Sequence, residues 1–310
     1  MNKKVAGIIS VVFILICIGY IIFDIATGKS DKKVVVEDET EQIELESQWS
    51  TVEEFKVEAG RLTSVALTDS DDMICAGETF IAAYKSNFSL EWEIPMEETI
   101  WALDVFRDTV FAASREKIYL FSLSGELLDE WGPYDDEAII TSISANRDFV
   151  AFSDAGNLLV YVVNKNGALK SIVGHPGNQF IIPSAYFDVH LTMDDTLVIA
   201  NTGKRNIEFR NVEGELLRAF GEEGDEFDEF CGCCNPAHFA FTPDGNIVTA
   251  EKGINRIKLV KPDGILIEPV AQPAHFTTYI PVDLAVSSKG LIYGANPRDS
   301  KVYIFKRKDQ

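Results

Sequence analysis

The stretch FTPDGNIVTAEKGINRIKLVKPDG, Phe241–Gly264, contains short apolar runs separated by polar turns. Its runs NIVTA and RIKLV are rich in aliphatic and β-branched residues, which are enriched in β-strands. The tripeptide Pro-Asp-Gly stands on both sides of these runs, and Asp-Gly between apolar runs is typical of a tight hairpin turn. The stretch therefore predicts antiparallel strands joined by hairpins.

The same arrangement recurs along the chain in six segments, which begin near residues 62, 100, 140, 186, 238 and 282. Each segment has an alternating strand, a polar turn, a β-branched strand that ends on small residues, and a third strand. In four segments the third strand turns at a glycine into a fourth strand, at Gly125, Gly167, Gly214 and Gly264. Four short strands in each repeat of about 40 to 50 residues are typical of a propeller blade. The sequence therefore predicts an all-β, six-bladed β-propeller.

The last segment supplies only three strands before Gln310. A propeller with an incomplete blade would leave a strand edge unpaired. The strand-like run TVEEFKVEA, Thr51–Ala59, precedes the first segment and has no partner of its own. We predict that residues 51–59 form the outer strand of the last blade, so that the propeller spans residues 51–310.

Phe241–Gly264 resembles the repeat of the NHL family of propellers in its two DG turns, its small-residue strand end and its Arg-Ile pair. LTMDDTLVIANTGKRNIEFRNVEG, Leu191–Gly214, is a looser copy. CGCCNP at Cys231–Pro236, with TAEKG at Thr249–Gly253, is similar to the motifs of a bacterial, exported or membrane-attached subset of that family. The resemblance implies a six-bladed, NHL-like propeller and implies no particular activity.

The amino-terminal region contains 19 consecutive uncharged residues, Val5–Phe23. A helix of this length crosses roughly 30 Å of hydrocarbon. We predict a transmembrane helix over 5–23, a cytoplasmic stub over 1–4 and an acidic linker over 24–50. A cleaved signal peptide is the alternative, because Lys3 and Lys4 form a basic start, but the apolar run is longer than the usual signal core.

With no second apolar span, the single-pass helix would hold the propeller at the cell membrane and outside the cytoplasm. The chain has 49 acidic and 28 basic residues, a formal net charge of −21. This charge repels phosphate backbones and argues against nucleic-acid binding. No nucleophile-elbow, phosphate-loop or HExxH motif occurs, and four histidines leave few acid–base pairs. We therefore assign no catalytic residue and favour a protein that is not an enzyme.

One face of the propeller is predicted to carry the long loops, because strand connections in a blade alternate between the two faces. The tight turns lie on one face, and the long loops, including residues 220–236, lie on the other. Functional residues tend to lie on loops held by a rigid scaffold. We predict that this loop face binds a protein or a small ligand through His175, Lys204, Arg205, Glu251, Lys252, His275 and Arg298, and that Glu251 and Lys252 can form an ion pair.

Cys231, Cys233 and Cys234 lie within four positions, and His238 follows the last of them by four. Outside the cytoplasm such thiols tend to form disulfides, although adjacent cysteines close only a strained ring. Three thiolates and a histidine are also ligands for Zn²⁺ or Cu⁺. Free thiols packed in the loop are the third alternative, and the sequence leaves all three open.

Two functions follow as hypotheses. The first is a membrane-tethered extracytoplasmic module for binding or assembly that uses the loop face, with the cysteines stabilising the 220–236 loop. The second is a redox or soft-metal protein in which Cys231, Cys233, Cys234 and His238 act directly.

Overall fold

The computed structural model describes residue 18 and residues 46–174, 180–272 and 280–308. The predicted transmembrane helix, the stub and most of the linker lie outside the described residues, as do His175 and His275. Among the residues that are described, no helix has the length and apolar character needed to span a bilayer.

The first three blades are four-stranded antiparallel sheets with strands in chain order from the centre outward. Blade 1 contains β2 to β5, at Leu62–Leu67, Met73–Gly77, Phe80–Tyr84 and Leu90–Pro95. Blade 2 contains β6 to β9, at Ala102–Phe106, Thr109–Ala113, Ile118–Ser122 and Leu127–Trp131. Blade 3 contains β10 to β13, at Ile140–Ala145, Phe149–Asp154, Leu159–Asn164 and Leu169–Val173.

Blades 4 and 5 follow the same order. Blade 4 contains β14 to β17, at Val189–Leu191, Thr196–Asn201, Asn206–Asn211 and Leu216–Phe220, with a single 3₁₀ turn at Thr202–Lys204. Blade 5 contains β18 to β21, at His238–Phe241, Ile247–Glu251, Arg256–Val260 and Leu266–Ala271. The prediction of an all-β, six-bladed propeller is confirmed.

Blade 6 joins the two ends of the propeller. Its three inner strands are β22 to β24, at Asp283–Val286, Ile292–Asn296 and Lys301–Arg307, and its outer strand is β1, Trp49–Lys56. β1 pairs antiparallel with β24, from Trp49 opposite Arg307 to Lys56 opposite Lys301. The observed outer strand is thus 49–56 rather than 51–59, and it leaves β24 paired on both edges.

The core consists of clusters between neighbouring blades. Ala76 and Ala83 of blade 1 share a buried cluster with Leu103 and Phe121 of blade 2. Small residues on the middle strands leave room for the larger side chains of the next blade, since interiors are closely packed. The outermost strands instead expose leucines, including Leu127 and Leu217.

Candidate functional site

The inner strands of all six blades surround a central channel with a cavity of about 190 Å³. An inner strand has only one neighbouring strand, so every second N–H of its backbone faces the channel and needs another acceptor. Side chains of the preceding blade supply several of these acceptors. The N–H of Val65 donates to Asp283 Oδ2 over 2.9 Å, and the N–H of Leu103 donates to Ser64 Oγ over 3.1 Å.

The same pattern continues between blades 3, 4 and 5. Ser142 Oγ accepts from the N–H of Val189 over 3.1 Å, and Asp188 Oδ2 accepts from the N–H of Phe239 over 2.8 Å. We call Ser64, Ser142, Asp188 and Asp283 the polar belt. Its members link consecutive inner strands around the channel, and the two serines also donate to the two aspartates, at 2.5 and 2.6 Å.

His238 occupies the matching position in blade 5, between the two aspartates of the belt. Its Nδ1 lies 3.6 Å from Asp283 Oδ1 and 3.9 Å from Asp188 Oδ2. Burial raises the pKa of Asp188 to about 6, against the opposing effects of His238 and the Ser142 hydrogen bond. Two carboxylates therefore meet one imidazole at the wall of the channel.

Asp104 and His190 also line the channel. Loss of hydration raises the pKa of Asp104 to about 7, although it accepts from the N–H of Ala145 over 2.6 Å. Lys165 faces Asp104 and sits on the ring of Phe106, at 4.5 Å, and burial lowers its pKa to about 8. Burial also lowers the pKa of His190 to about 4.

A wider cavity of about 470 Å³ shares Trp101, Thr141 and His238 with the channel, and we call it the vestibule. Trp101 is 49% exposed at this point. The vestibule walls combine apolar residues with a few polar ones: Arg61, Thr63, Glu78, Ile139, Ile140, Ser184, Ala185, Tyr186, Lys252, Ile280, Pro281 and Pro297. The ammonium of Lys252 lies 4.9 Å from the centre of the Tyr186 ring. An apolar cavity with a few polar groups is the usual form of a small-molecule site.

The loop that precedes β18 contains the three cysteines. Cys233 Sγ and Cys234 Sγ lie 2.9 Å apart, whereas Cys231 Sγ lies 3.3 Å from Asp225 Oδ1. The Asn235 amide donates to the carbonyls of Cys231 and Lys252, and its oxygen accepts from the N–H of Lys252 over 2.7 Å. The cysteine segment is therefore fastened to the wall of the vestibule at Lys252.

A buried ion cluster holds the 220–230 part of this loop. Glu251, 2% exposed, pairs with Arg256 at 2.7 Å and with Lys258 at 3.2 Å. Both cations also donate to the carbonyl of Glu229, over 2.9 and 2.7 Å. Lys258 lies 4.1 Å from the centre of the buried Phe230 ring. The loop carbonyl thus accepts hydrogen bonds from Arg256 and Lys258 in addition to those that the two cations donate to Glu251.

Phe230 packs closely against the backbone at Gly221. Gly221 has φ +99°, and a Cβ there would lie 2.7 Å from the Phe230 ring and 2.8 Å from the Arg205 carbonyl. Only glycine accepts both this conformation and this contact.

The structure places the predicted loop-face residues in several different environments. Lys252 and His238 line the vestibule. Arg205 donates to the Gly232 carbonyl over 2.9 Å and pairs with Glu223 at 3.0 Å, so it contacts the cysteine loop. Lys204 lies 3.5 Å from the buried Glu208, and the N–H of Arg298 donates to Asn296.

The prediction that Glu251 pairs with Lys252 is wrong. The side chains of neighbouring strand residues point to opposite faces, and that of Glu251 points toward Arg256 and Lys258.

His238 faces the polar belt rather than the cysteines. Within residues 46–174, 180–272 and 280–308, no group of three His, Cys, Asp or Glu side chains is arranged to hold a metal ion.

Sequence reasoning missed Asp104, Asp188 and Asp283 in the channel. Each stands between two apolar residues, in LDV, FDV and VDL. A single carboxylate between apolar residues, within an inner strand or at its start, is the signal that could have identified them.

No family model and no curated protein matches the chain. Solved structures with a similar fold include a streptogramin B lyase, with 13% identity over 83% of this chain and 97% of that chain and a TM-score of 0.61. Virginiamycin B lyase from Staphylococcus aureus has 11% identity, coverages of 83% and 99%, and a TM-score of 0.58. The WD40 propeller domain of Doa1 has 14% identity, coverages of 79% and 79%, and a TM-score of 0.57. At these identities the likeness shows the propeller fold alone, and the NHL resemblance stays a prediction.

Proposed function

We propose that the chain is a binding module whose ligand enters through the vestibule of the loop face. Propellers are general scaffolds for binding and assembly, and the fold by itself does not specify a ligand. The observation that carries the proposal is the vestibule of about 470 Å³, which opens beside a half-exposed tryptophan and continues into the polar channel.

The walls favour a small amphipathic ligand or a protruding apolar side chain of a partner protein. Trp101, Ile280 and Pro281 offer apolar surface, while Lys252 and His238 offer polar groups. An apolar or aromatic body would pack on Trp101, and a hydrogen-bonding group would reach His238. Exposed aromatic residues in concave surfaces are frequent anchors of binding.

The neutral dye N-phenylnaphthylamine tests the vestibule without electrostatic attraction to the acidic chain. Titration of the full-length chain in detergent micelles, with the signal of protein-free micelles subtracted, is expected to leave a saturable fluorescence enhancement, and Trp101→Ala should weaken binding about tenfold, or about 1.4 kcal/mol. Leu217→Ala is the matched control, because Leu217 is an exposed apolar residue on the outer strand of blade 4. Equal affinities in all three proteins would overturn the vestibule as the site.

We further propose that the module is tethered by the single helix 5–23, with the propeller outside the cytoplasm and linker 24–50 between them. The support is the uncharged run Val5–Phe23 and its basic flank at Lys3 and Lys4. Alkaline carbonate extraction of membranes should leave the full-length chain in the pellet and release a chain that starts at residue 46. Release of both would contradict the tether.

The second candidate is a redox or soft-metal function at Cys231, Cys233, Cys234 and His238. The observation in its favour is the 2.9 Å contact between the Cys233 and Cys234 sulfurs. Because His238 faces Asp283 and Asp188, the geometry favours thiol chemistry over a four-ligand zinc or copper site. Elemental analysis of the chain, purified without chelators, tests the metal form: about one zinc or copper per chain that is lost in Cys233→Ser would support it.

A further inference from the structure

We propose that Cys233 and Cys234 form a reversible vicinal disulfide that changes the shape of the vestibule wall. The proposal rests on the vestibule as the ligand site and adds a means of regulating it. The two sulfurs are already in contact at 2.9 Å, within about 1 Å of the length of a disulfide bond.

The third cysteine of the motif is directed elsewhere. Cys231 Sγ lies 3.3 Å from Asp225 Oδ1, and burial together with this carboxylate raises the pKa of the Cys231 thiol. This hydrogen bond directs the Cys231 thiol toward Asp225, whereas the sulfurs of Cys233 and Cys234 contact each other. The structure therefore places Cys233 and Cys234 together as a pair and directs Cys231 elsewhere.

Within the pair the two thiols have different exposure. Cys233 is exposed, whereas Cys234 is 3% exposed and burial raises the pKa of its thiol. An external reagent can reach Cys233 first, and Cys234 is then placed to attack Cys233 from within the protein. This is the arrangement of an attacking thiol and a resolving thiol.

The oxidant is a disulfide of low molecular weight, such as oxidised glutathione. The Cys233 thiol loses its proton and attacks one sulfur of the oxidant, forming a mixed disulfide and releasing the first thiol. The Cys234 thiol then loses its proton and attacks Cys233 Sγ, forming the vicinal bond and releasing the second thiol. Two electrons pass from the cysteine pair to the oxidant, and the two protons end on the two thiols released.

Reversibility follows from the geometry of neighbouring residues. Adjacent Cα atoms are about 3.8 Å apart, whereas disulfides normally join Cα atoms separated by about 4.4 to 6.8 Å. A vicinal bond is therefore strained and readily reduced, as is typical of labile or regulatory disulfides.

The pair contacts the vestibule through Cys234 and Asn235. Cys234 lies close enough to Ser184 and Lys252 to interact with them electrostatically, and both residues line the vestibule. Asn235, the next residue, holds Lys252 by its backbone N–H and carbonyl. Closing the eight-membered ring must rotate the 233–234 peptide, so the position of Lys252 should shift with the redox state.

The first experiment is mass mapping of the full-length chain in detergent micelles. After incubation with oxidised glutathione, acid quenching and alkylation, the peptide with the motif should carry one alkyl group, on Cys231, and should lack two hydrogen atoms at the pair. Cys234→Ser should instead retain glutathione on Cys233, and Cys231→Ser, the matched control, should oxidise like wild type. A bond that includes Cys231, or no loss of hydrogen, would overturn the proposal.

The second experiment measures the coupling to the vestibule without any ligand. The rate of acylation of Lys252 by acetic anhydride, relative to that of exposed Lys85, is expected to change about fivefold on oxidation in wild type and Cys231→Ser, a typical coupling between sites. It should not change in Cys233→Ser. An equal rate in oxidised and reduced wild type would overturn the coupling. A changed rate without dye binding in either state would support the switch and overturn only the vestibule as ligand site.

Discussion

Two acidic side chains, Glu251 in the core of blade 5 and Asp104 at the channel wall of blade 2, have opposite surroundings. Glu251 has Arg256 and Lys258 within 3.2 Å. Asp104 accepts from the backbone N–H of Ala145 over 2.6 Å, and Lys165 interacts with it through its charge. Loss of hydration raises the pKa of Asp104 to about 7. Cations at bonding distance favour the charged form of a buried acid, whereas burial without such partners favours its protonated form.

The difference also separates two uses of buried charge. The Glu251 cluster extends through Arg256 and Lys258 to the carbonyls of the 220–230 loop, and so it fixes the loop that leads to the cysteines. Asp104 accepts from the N–H of Ala145 on the inner strand of the next blade and interacts with the charge of Lys165. We expect substitutions of Glu251 to lower the stability of the protein at every pH, and substitutions of Asp104 to change the pH dependence of that stability.

The largest effect is expected for Glu251→Gln, which leaves Arg256 and Lys258 buried without a counter-charge. Removing one partner of a buried ion pair costs about 3 to 5 kcal/mol, and this should lower the Tm by on the order of 10 °C. Thermal unfolding followed by circular dichroism measures it. Glu213→Gln, which loses only the exposed pair with Lys170, should cost less than about 1 kcal/mol. Equal Tm values for both variants would contradict the role of the cluster.

Asp104→Asn should change the pH dependence of stability. The folded Asp104 has a pKa of about 7, against an ordinary value of 3.8. Between these values the folded state binds more protons, so the stability that this group contributes is present below about pH 4 and is lost as the pH rises to about 7. The difference in Tm, wild type minus Asp104→Asn, should therefore fall across this window.

The size of this pH effect is at most a few kcal/mol, since one pKa unit corresponds to about 1.4 kcal/mol. Asp108→Asn, an exposed neighbour in the turn of the same blade, should show no such trend. A constant difference for Asp104→Asn from pH 4 to pH 7 would show that folding does not raise the pKa of Asp104.

An intermediate effect is expected for Ser64→Ala in the polar belt. The Ser64 hydroxyl donates to Asp283 and accepts from the N–H of Leu103. Its loss leaves a backbone donor and a carboxylate with one partner fewer, at a cost of about 1 to 2 kcal/mol. Urea unfolding should resolve this from Ser124→Ala in an exposed turn, where we expect no measurable change. A Ser64→Ala protein as stable as that control would show that water replaces the hydroxyl.

The sequence predicted the blades because their signals are local. Hairpin turns, strand alternation and small residues at strand ends are all visible within a single repeat such as Phe241–Gly264. The Glu251 cluster could not be read in this way. RIKLV in β20 suggests alternation of exposed cations with buried aliphatic residues, yet all five residues are buried, because a middle strand is covered on both faces by neighbouring blades and by the 225–230 loop.

Part of the candidate site could also be predicted, because turns and loops are local signals in the sequence. Lys252, His238 and the cysteines follow from the alternation of turns and loops between two faces. The vestibule depends on residues far apart in sequence, such as Arg61, Trp101 and Pro281, and only the closed ring brings them together. Asp188 and Asp283 likewise gain their role through His238 of the blade between them.

The smallest effect is expected for Lys204→Met in blade 4, which holds a second buried glutamate. Glu208 keeps two bonds to Arg210, at 2.8 and 2.5 Å, and one from Asn201 at 2.8 Å. Lys204 lies farther away, at 3.5 Å, and about a third of its side chain is exposed. Its removal should cost about 0.5 kcal/mol or less, measured by the same thermal unfolding as Glu251→Gln. A loss above about 2 kcal/mol would mean that Glu208 depends on both of its cations, as Glu251 does. Pairing of the buried glutamate with two cations, rather than the contact of those cations with a loop, would then be what distinguishes blades 4 and 5 from blade 2.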